Sequence, residues 1–544
     1  MKGNPYFSQK RLVQFSFSLL TLLNIIIITS CHSPAPKGLE ARAPMMAYSL
    51  QQNNTLLEIQ KKEDGKFNTE SYDRIYENPF LDSKNYPLST FAIDVDTASY
   101  SNIRRFLKHR QLPPKGAVRI EEMVNYFSYH YPSPKKKAPF SVTTEVSDCP
   151  WNLEHRLLLI GLQAKKIEFS KRPPTNIVFL LDVSGSMAAP NKLGLVKRSI
   201  RLLVNQLTEK DKVSIVVYAG ASGLVLPPTS GDNRERILEA LDRLTAGGST
   251  NGGEGIQLAY RTAIENFIPG GVNKVILCTD GDFNVGMTDQ SSLIRLIEEK
   301  AKSNVFLTVL GFGMGNYKDS TLEKLADKGN GNYGYIDNFN EAKKYFIHDL
   351  TGTLITVAKD VKIQVEFNPA VVAKYRLIGY ENRIMRAEDF ANDKKDGGEV
   401  GAGHQVTALY ELVLAPSSPL EEKKDKITLK YQGERKLTQA AKSGELATVK
   451  VRYKDPEGQK STLLIFPVVD KGKKWETCSK NFKFAAAVAA FGMILRESPH
   501  RGKASYALVR ELAREGMGED KYGYRKEFLE LVGIASGLSS KSTN

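Results

Sequence analysis

Cysteine is scarce in this chain. There are four in 544 residues, none in a Cys-x-x-Cys pair, and no histidine-rich cluster accompanies them, so nothing suggests zinc. A Gly-x-Ser-x-Gly elbow is also missing, so no serine is marked as a hydrolase nucleophile. No apolar run reaches the roughly 20 residues that span a bilayer. Residues 12–28 are interrupted by Ser, Thr and Asn, and the strongly apolar stretch 482–495 is 14 residues long and reads as a core helix.

What is present begins with a run that stops abruptly. Ile177-Val-Phe-Leu-Leu has the length and branching of a buried parallel strand, and it breaks into Asp182-Val-Ser184-Gly-Ser186. Ligands of open α/β sheets sit at the carboxyl ends of strands, so these oxygens emerge where a ligand would bind. Two later segments extend the set. Gly247-Gly-Ser-Thr250-Asn-Gly-Gly opens a helical pattern, and Val275-Ile-Leu-Cys-Thr-Asp280-Gly repeats the motif of an apolar strand running into an aspartate. An all-oxygen donor set suits a hard cation such as Mg²⁺.

In that order and spacing, Asp182, Ser184, Ser186, Thr250 and Asp280 resemble the metal-ion-dependent adhesion site of von Willebrand factor type A (VWA) domains. The resemblance implies that Ser184, Ser186 and Thr250 touch a metal, Mg²⁺ or else Mn²⁺ or Ca²⁺. Asp182 and Asp280 would then act mostly through water. A cation ligated by neutral hydroxyls keeps much of its charge, so it seeks an anionic ligand. In the family that ligand is a Glu or Asp side chain from a partner protein.

Around this motif, strand and helix patterns alternate from 174 to 355, predicting a mostly parallel, doubly wound, Rossmann-like α/β sheet. The remaining boundaries follow composition. Residues 72–135 read as a mainly helical unit, with helical patterns at 101–110 and 120–129. Strand-like alternation over 136–173 resumes over 356–470, which predicts one β-sandwich with the VWA unit inserted. Residues 471–544 read as helical. Asp94 and Asp96 echo Asp182-Val-Ser184, but no calcium-loop Gly or Glu follows, so they read as a turn whose Asp or Ser caps the helix near Tyr100. His404, in a Gly-rich loop, reads as a histidine with a structural hydrogen bond.

The first 30 residues read as a secretory leader: Lys2, Lys10 and Arg11, an apolar middle, then small residues. Ile28-Thr-Ser-Cys31 resembles the bacterial lipobox, in which the cysteine receives a lipid. That implies a lipid-anchored, extracytoplasmic protein of the cell membrane or outer membrane. His32, where Asp would favour retention, leans to the outer membrane. Residues 31–71 lack periodicity and read as a tether. An oxidising setting permits a disulfide between Cys149 and Cys478; Cys278 sits in an apolar strand and reads as a buried thiol.

The net charge of +15 suits acidic protein segments, anionic lipid or simply a solvated basic exterior. Outside the cytoplasm nucleic acid is not the expected partner, and no small-molecule substrate is indicated. These features point to an envelope lipoprotein that binds a partner protein through a metal, not to an enzyme. Two other readings stay open: a structural envelope protein using metal only for stability, and a hydrolase in the flanking regions.

Overall fold

The computed structural model describes residues 70–135, 138–249, 251–281, 290–416 and 436–542. The leader, Cys31, the tether up to residue 69 and Thr250 lie outside the described residues.

One six-stranded sheet carries the Asp182 motif. Its order is Tyr333–Ile336, Phe306–Phe312, Val272–Thr279, Thr175–Asp182, Lys212–Tyr218, Ser222–Ser230. All neighbours are parallel except the last pair. Thr175–Asp182 is central and buried along its whole length, which is why it reads as a continuous apolar run rather than an alternating one. Helices Leu193–Val204 and Gly252–Glu265 supply apolar residues to two different cores, one on each face of the sheet: Val196 and Ile200 in one, Ile256 and Ala259 in the other.

Two strands of this sheet escape the sequence patterns. Ser222–Ser230 contains Pro227 and Pro228, residues confined to sheet edges because they cannot donate to the ladder, and it is the edge strand. Tyr333–Ile336 has only four residues.

Two antiparallel sheets pack over a shared core. The first runs Leu81–Asp82, Val372–Ile378, Gln405–Leu414, Asn152–Ala164, Phe140–Cys149. The second runs Ile384–Met385, Leu88–Ala92, Thr356–Phe367, Glu445–Lys454, Ser461–Val469, with Gly398–Gly401 also pairing to Thr356–Phe367. Phe91, Ile363 and Val449 of one sheet and Leu158, Tyr375 and Tyr410 of the other belong to the same buried cluster. Strands before the parallel sheet thus pair with strands after it, as in Leu158 opposite Tyr410.

Residues 72–135 hold helices where the sequence pattern expects them, and strand residues that it does not. Their strand Leu88–Ala92 lies inside the second antiparallel sheet, with Phe91 opposite Ile363. Their helices Ala98–Lys108 and Ile120–Asn125 join the carboxy-terminal helices Lys480–Arg496, Tyr506–Glu515 and Tyr524–Ser542 in one core. Phe127, Phe484 and Phe528 meet there edge to face, at 4.8 Å between the first two and 5.5 Å between the last two. Lys480–Arg496 is buried nearly all round, the mark of a central helix. Among the described residues no helix is long and apolar enough to cross a membrane.

A smaller expectation also fails, and an open question closes. Neither Asp94 nor Asp96 caps Ala98–Lys108; its N-cap is Thr97, without a side-chain bond. The Ser99 N–H donates instead to Glu122 Oε2 at 2.7 Å, a cap lent by the next helix. Asp94 accepts from the Asp96 N–H and Asp96 from the Tyr333 N–H. The disulfide between Cys149 and Cys478 is absent: Cys149, Cys278 and Cys478 are all free thiols, and all are buried.

Candidate metal centre

Parallel pairing sets the site. Leu181 lies opposite Val217 on one side and Cys278 on the other, so the next residues of three strands end together. Asp182 Oδ2 accepts from the Tyr218 hydroxyl and from the Thr279 hydroxyl, each at 3.2 Å. Its Oδ1 accepts from the Ser184 N–H at 2.9 Å. This last bond turns the chain at the strand end and raises the two serines. Ser184 Oγ and Ser186 Oγ stand 3.0 Å apart, Ser184 buried and Ser186 exposed. Beyond Asp280 the chain turns at Gly281, whose φ is +91°; a Cβ there would lie 2.7 Å from the Lys318 nitrogen. Only glycine meets both demands.

Asp182 and Asp280 are fully buried. Burial pushes the Asp182 carboxyl up to about 6, and Asp280 adds to that, while hydrogen bonds from Ser184 and Thr279 oppose it. A carboxylate so placed favours a nearby positive charge. The donor set is all oxygen, with hydroxyls towards solvent and acidic groups beneath, and that fits a hard divalent cation.

A cationic side chain already stands at the edge of this set. Lys192 Nζ donates to Asp280 Oδ2 at 2.8 Å and to Asn316 Oδ1 at 3.0 Å. Asn316 Nδ2 donates in turn to Asp280 Oδ2 at 3.1 Å. The sequence patterns single out none of Tyr218, Lys192 or Asn316. One hint exists for Lys192. It is the N-cap of Leu193–Val204, and a cation at a helix N-terminus opposes the helix dipole, so it calls for a nearby acid.

The structure thus brings together Asp182, Ser184, Ser186 and Asp280. Thr250 lies outside the described residues, but its loop is fixed on both sides. The Gly185 N–H donates to the Gly248 carbonyl at 3.0 Å, Gly247 N–H to Val183 at 2.8 Å, and Asn251 N–H to Ala219 at 2.7 Å.

Asp94 takes part in a separate acidic group. Its carboxylate and those of Glu122 and Glu323 lie within 4.8 Å of one another, all buried. Arg119 pairs with Glu122, and Arg383 with Asp94 at 3.3 Å, so arginines already serve this group. His404 is half-buried and accepts at Nδ1 from the Gly401 N–H at 3.2 Å.

Three family profiles match the chain. A profile described as von Willebrand factor matches residues 66–159, and one described as von Willebrand factor type A domain matches 176–349. A third, described as Uncharacterized protein YfbK, C-terminal, matches 352–538. The Escherichia coli (strain K12) protein described as Uncharacterized protein YfbK is 43% identical over 481 residues, covering 87% of this chain and 82% of its own. The chain belongs to the YfbK family. Within it, the six-stranded sheet is a VWA domain, and the whole is mixed α/β with two further antiparallel sheets and carboxy-terminal helices. A Synechocystis protein described as Uncharacterized protein sll0103 is 30% identical over 191 residues, 35% of this YfbK-family chain and 44% of its own. Among solved structures, a von Willebrand factor type A protein from Catenulispora acidiphila aligns over 74% of this chain and 91% of its own, with a TM-score of 0.41 and 16% identity.

Proposed function

We propose that this YfbK-family protein binds a partner protein through a divalent cation, Mg²⁺ before Mn²⁺ or Ca²⁺, held by Asp182, Ser184, Ser186, Thr250 and Asp280. The observation that carries the reading is the pair of hydroxyls at 3.0 Å above two buried carboxylates, at the ends of adjacent parallel strands. A bound cation supplies a Lewis-acidic position open to an outside carboxylate. Asp182 orients the Ser184 backbone, Tyr218 and Thr279 hold Asp182, and the exposed Ser186 leaves the approach open. The partner would offer a Glu or Asp side chain. Calorimetric titration of Mg²⁺ into the wild type and Asp182→Ala tests the site: the variant is expected to lose binding, and equal affinities refute it.

The location belongs to the same proposal. The basic start, apolar stretch and Ile28-Thr-Ser-Cys31 favour lipidation of Cys31 and anchorage to a cell membrane or outer membrane, with the folded part extracytoplasmic. Cells fed a labelled fatty acid should incorporate it into the wild type and not into Cys31→Ser. Equal labelling of the two, or none in the wild type, contradicts the anchor.

A further inference from the structure

Lys192 is built into the centre, not laid over it. The residue is 7% exposed and its partner Asp280 is fully buried. Its ammonium touches two side chains, Asp280 and Asn316, and these touch each other. Its stem runs along Gly313, where a Cβ would collide with Lys192 Cε, so any larger residue at 313 would displace the lysine. The backbone places this cation at the N-terminus of Leu193–Val204, the unfavourable end of the helix dipole. The local helix therefore gives no reason for a lysine, whereas Asp280 does.

The charge balance has a consequence. Asp182 and Asp280 alone would present two negative charges to a divalent cation. With Lys192 these three groups sum to one negative charge, so a bound divalent ion would leave the three net positive rather than neutral. Charges interact strongly where water is excluded. The lysine therefore opposes the metal and favours an anion that arrives with it.

We propose that Lys192 is the internal counter-ion of Asp280, weakening the hold of the centre on a divalent cation alone and making occupancy depend on an incoming carboxylate. This rests on the reading of the site as a metal centre. Metal and acidic partner would then bind cooperatively, each raising the affinity for the other by the same factor.

Calorimetric titration of MgCl₂ into the full folded protein tests it, using wild type, Lys192→Met, Lys192→Arg and Asp182→Ala. Lys192→Met keeps the stem and removes the charge, and it should bind Mg²⁺ about tenfold more tightly or better. Lys192→Arg keeps the positive charge and should stay within about threefold of wild type. Replacing chloride with acetate at constant ionic strength should raise the Mg²⁺ affinity of wild type more than that of Lys192→Met. Equal or weaker Mg²⁺ binding by a folded Lys192→Met overturns the role of Lys192, as does an acetate effect that is the same in both. Should Lys192→Met not fold, Lys192→Gln takes its place, with the same expectation and the same refutation. Failure of the metal-centre reading looks different: Asp182→Ala would bind as wild type does, or neither wild type nor Lys192→Met would bind at all.

Discussion

Arg104 donates to Glu341 Oε2 at 2.7 Å, with both side chains buried, across 237 positions of sequence. The same guanidinium donates to Asp337, to the Tyr126 hydroxyl at 2.9 Å and to Glu527 at 3.2 Å. One side chain thereby joins helix Ala98–Lys108, the VWA unit and the carboxy-terminal helix Tyr524–Ser542.

Removing Arg104 strands Asp337 and Glu341 as buried acids. Breaking a buried pair from one side is strongly destabilising, so Arg104→Ala should lose about 3–5 kcal/mol. Urea unfolding would show a lower midpoint, and a midpoint unchanged from wild type would contradict the joint. Lys should not restore it, since one ammonium cannot match a fork that serves four partners.

Glu121 is 1% exposed and both its carboxyl oxygens lack a hydrogen-bond partner. Burial pushes its carboxyl up to about 7, Glu381 adds to that and Arg496 opposes it. The folded value is above the unfolded one, so its contribution is full below about 4.5 and fades as pH rises through 7. Glu121→Gln should therefore be more stable than wild type near pH 8, by about 1–3 kcal/mol, with the gap closing near pH 5. Parallel unfolding curves at the two pH values check this.

His404 behaves in the opposite sense. Burial pushes its imidazole down to about 4, with Lys344 and Lys274 adding and Asp349 opposing, and its acceptor role towards Gly401 needs the neutral ring. The folded value is below the unfolded one, so stability present above about 6.5 is lost as pH falls through 4. His404→Gln should lose less stability than wild type between about pH 7 and pH 5. A larger loss in the variant would exclude His404 as a contributor to acid sensitivity.

The buried thiols make a countable prediction. Protein lacking residues 1–31 should show three thiols by a colorimetric reagent when denatured without reductant, and almost none when native. One thiol on denaturation would mean that Cys149 and Cys478 do pair.

How far the sequence is legible depends on whether a residue's partner is local. The run 177–181 announces its own burial, and Asp182 and Asp280 sit where such runs end, so the sheet and its acids can be read from pattern. Leu88–Ala92 cannot, because its partner strand begins at Thr356. The cap on Ser99 comes from Glu122, 23 positions on, and no N-cap pattern finds it. Lys192 faces Asp280 across 88 positions, and only the parallel sheet makes them neighbours. Ser222–Ser230 is hidden for another reason: its prolines are tolerated at an edge, and an edge is known only once the sheet is assembled.

Helix Leu350–Leu354 of the VWA unit ends one residue before strand Thr356–Phe367 begins, and that strand is hydrogen-bonded on both sides. With Ile355 alone between them there is almost no slack. A pull along that helix would be felt at once as shear in the middle of the sandwich, so the domain that would grip a partner and the scaffold behind it are geared together rather than hung on a loose cord.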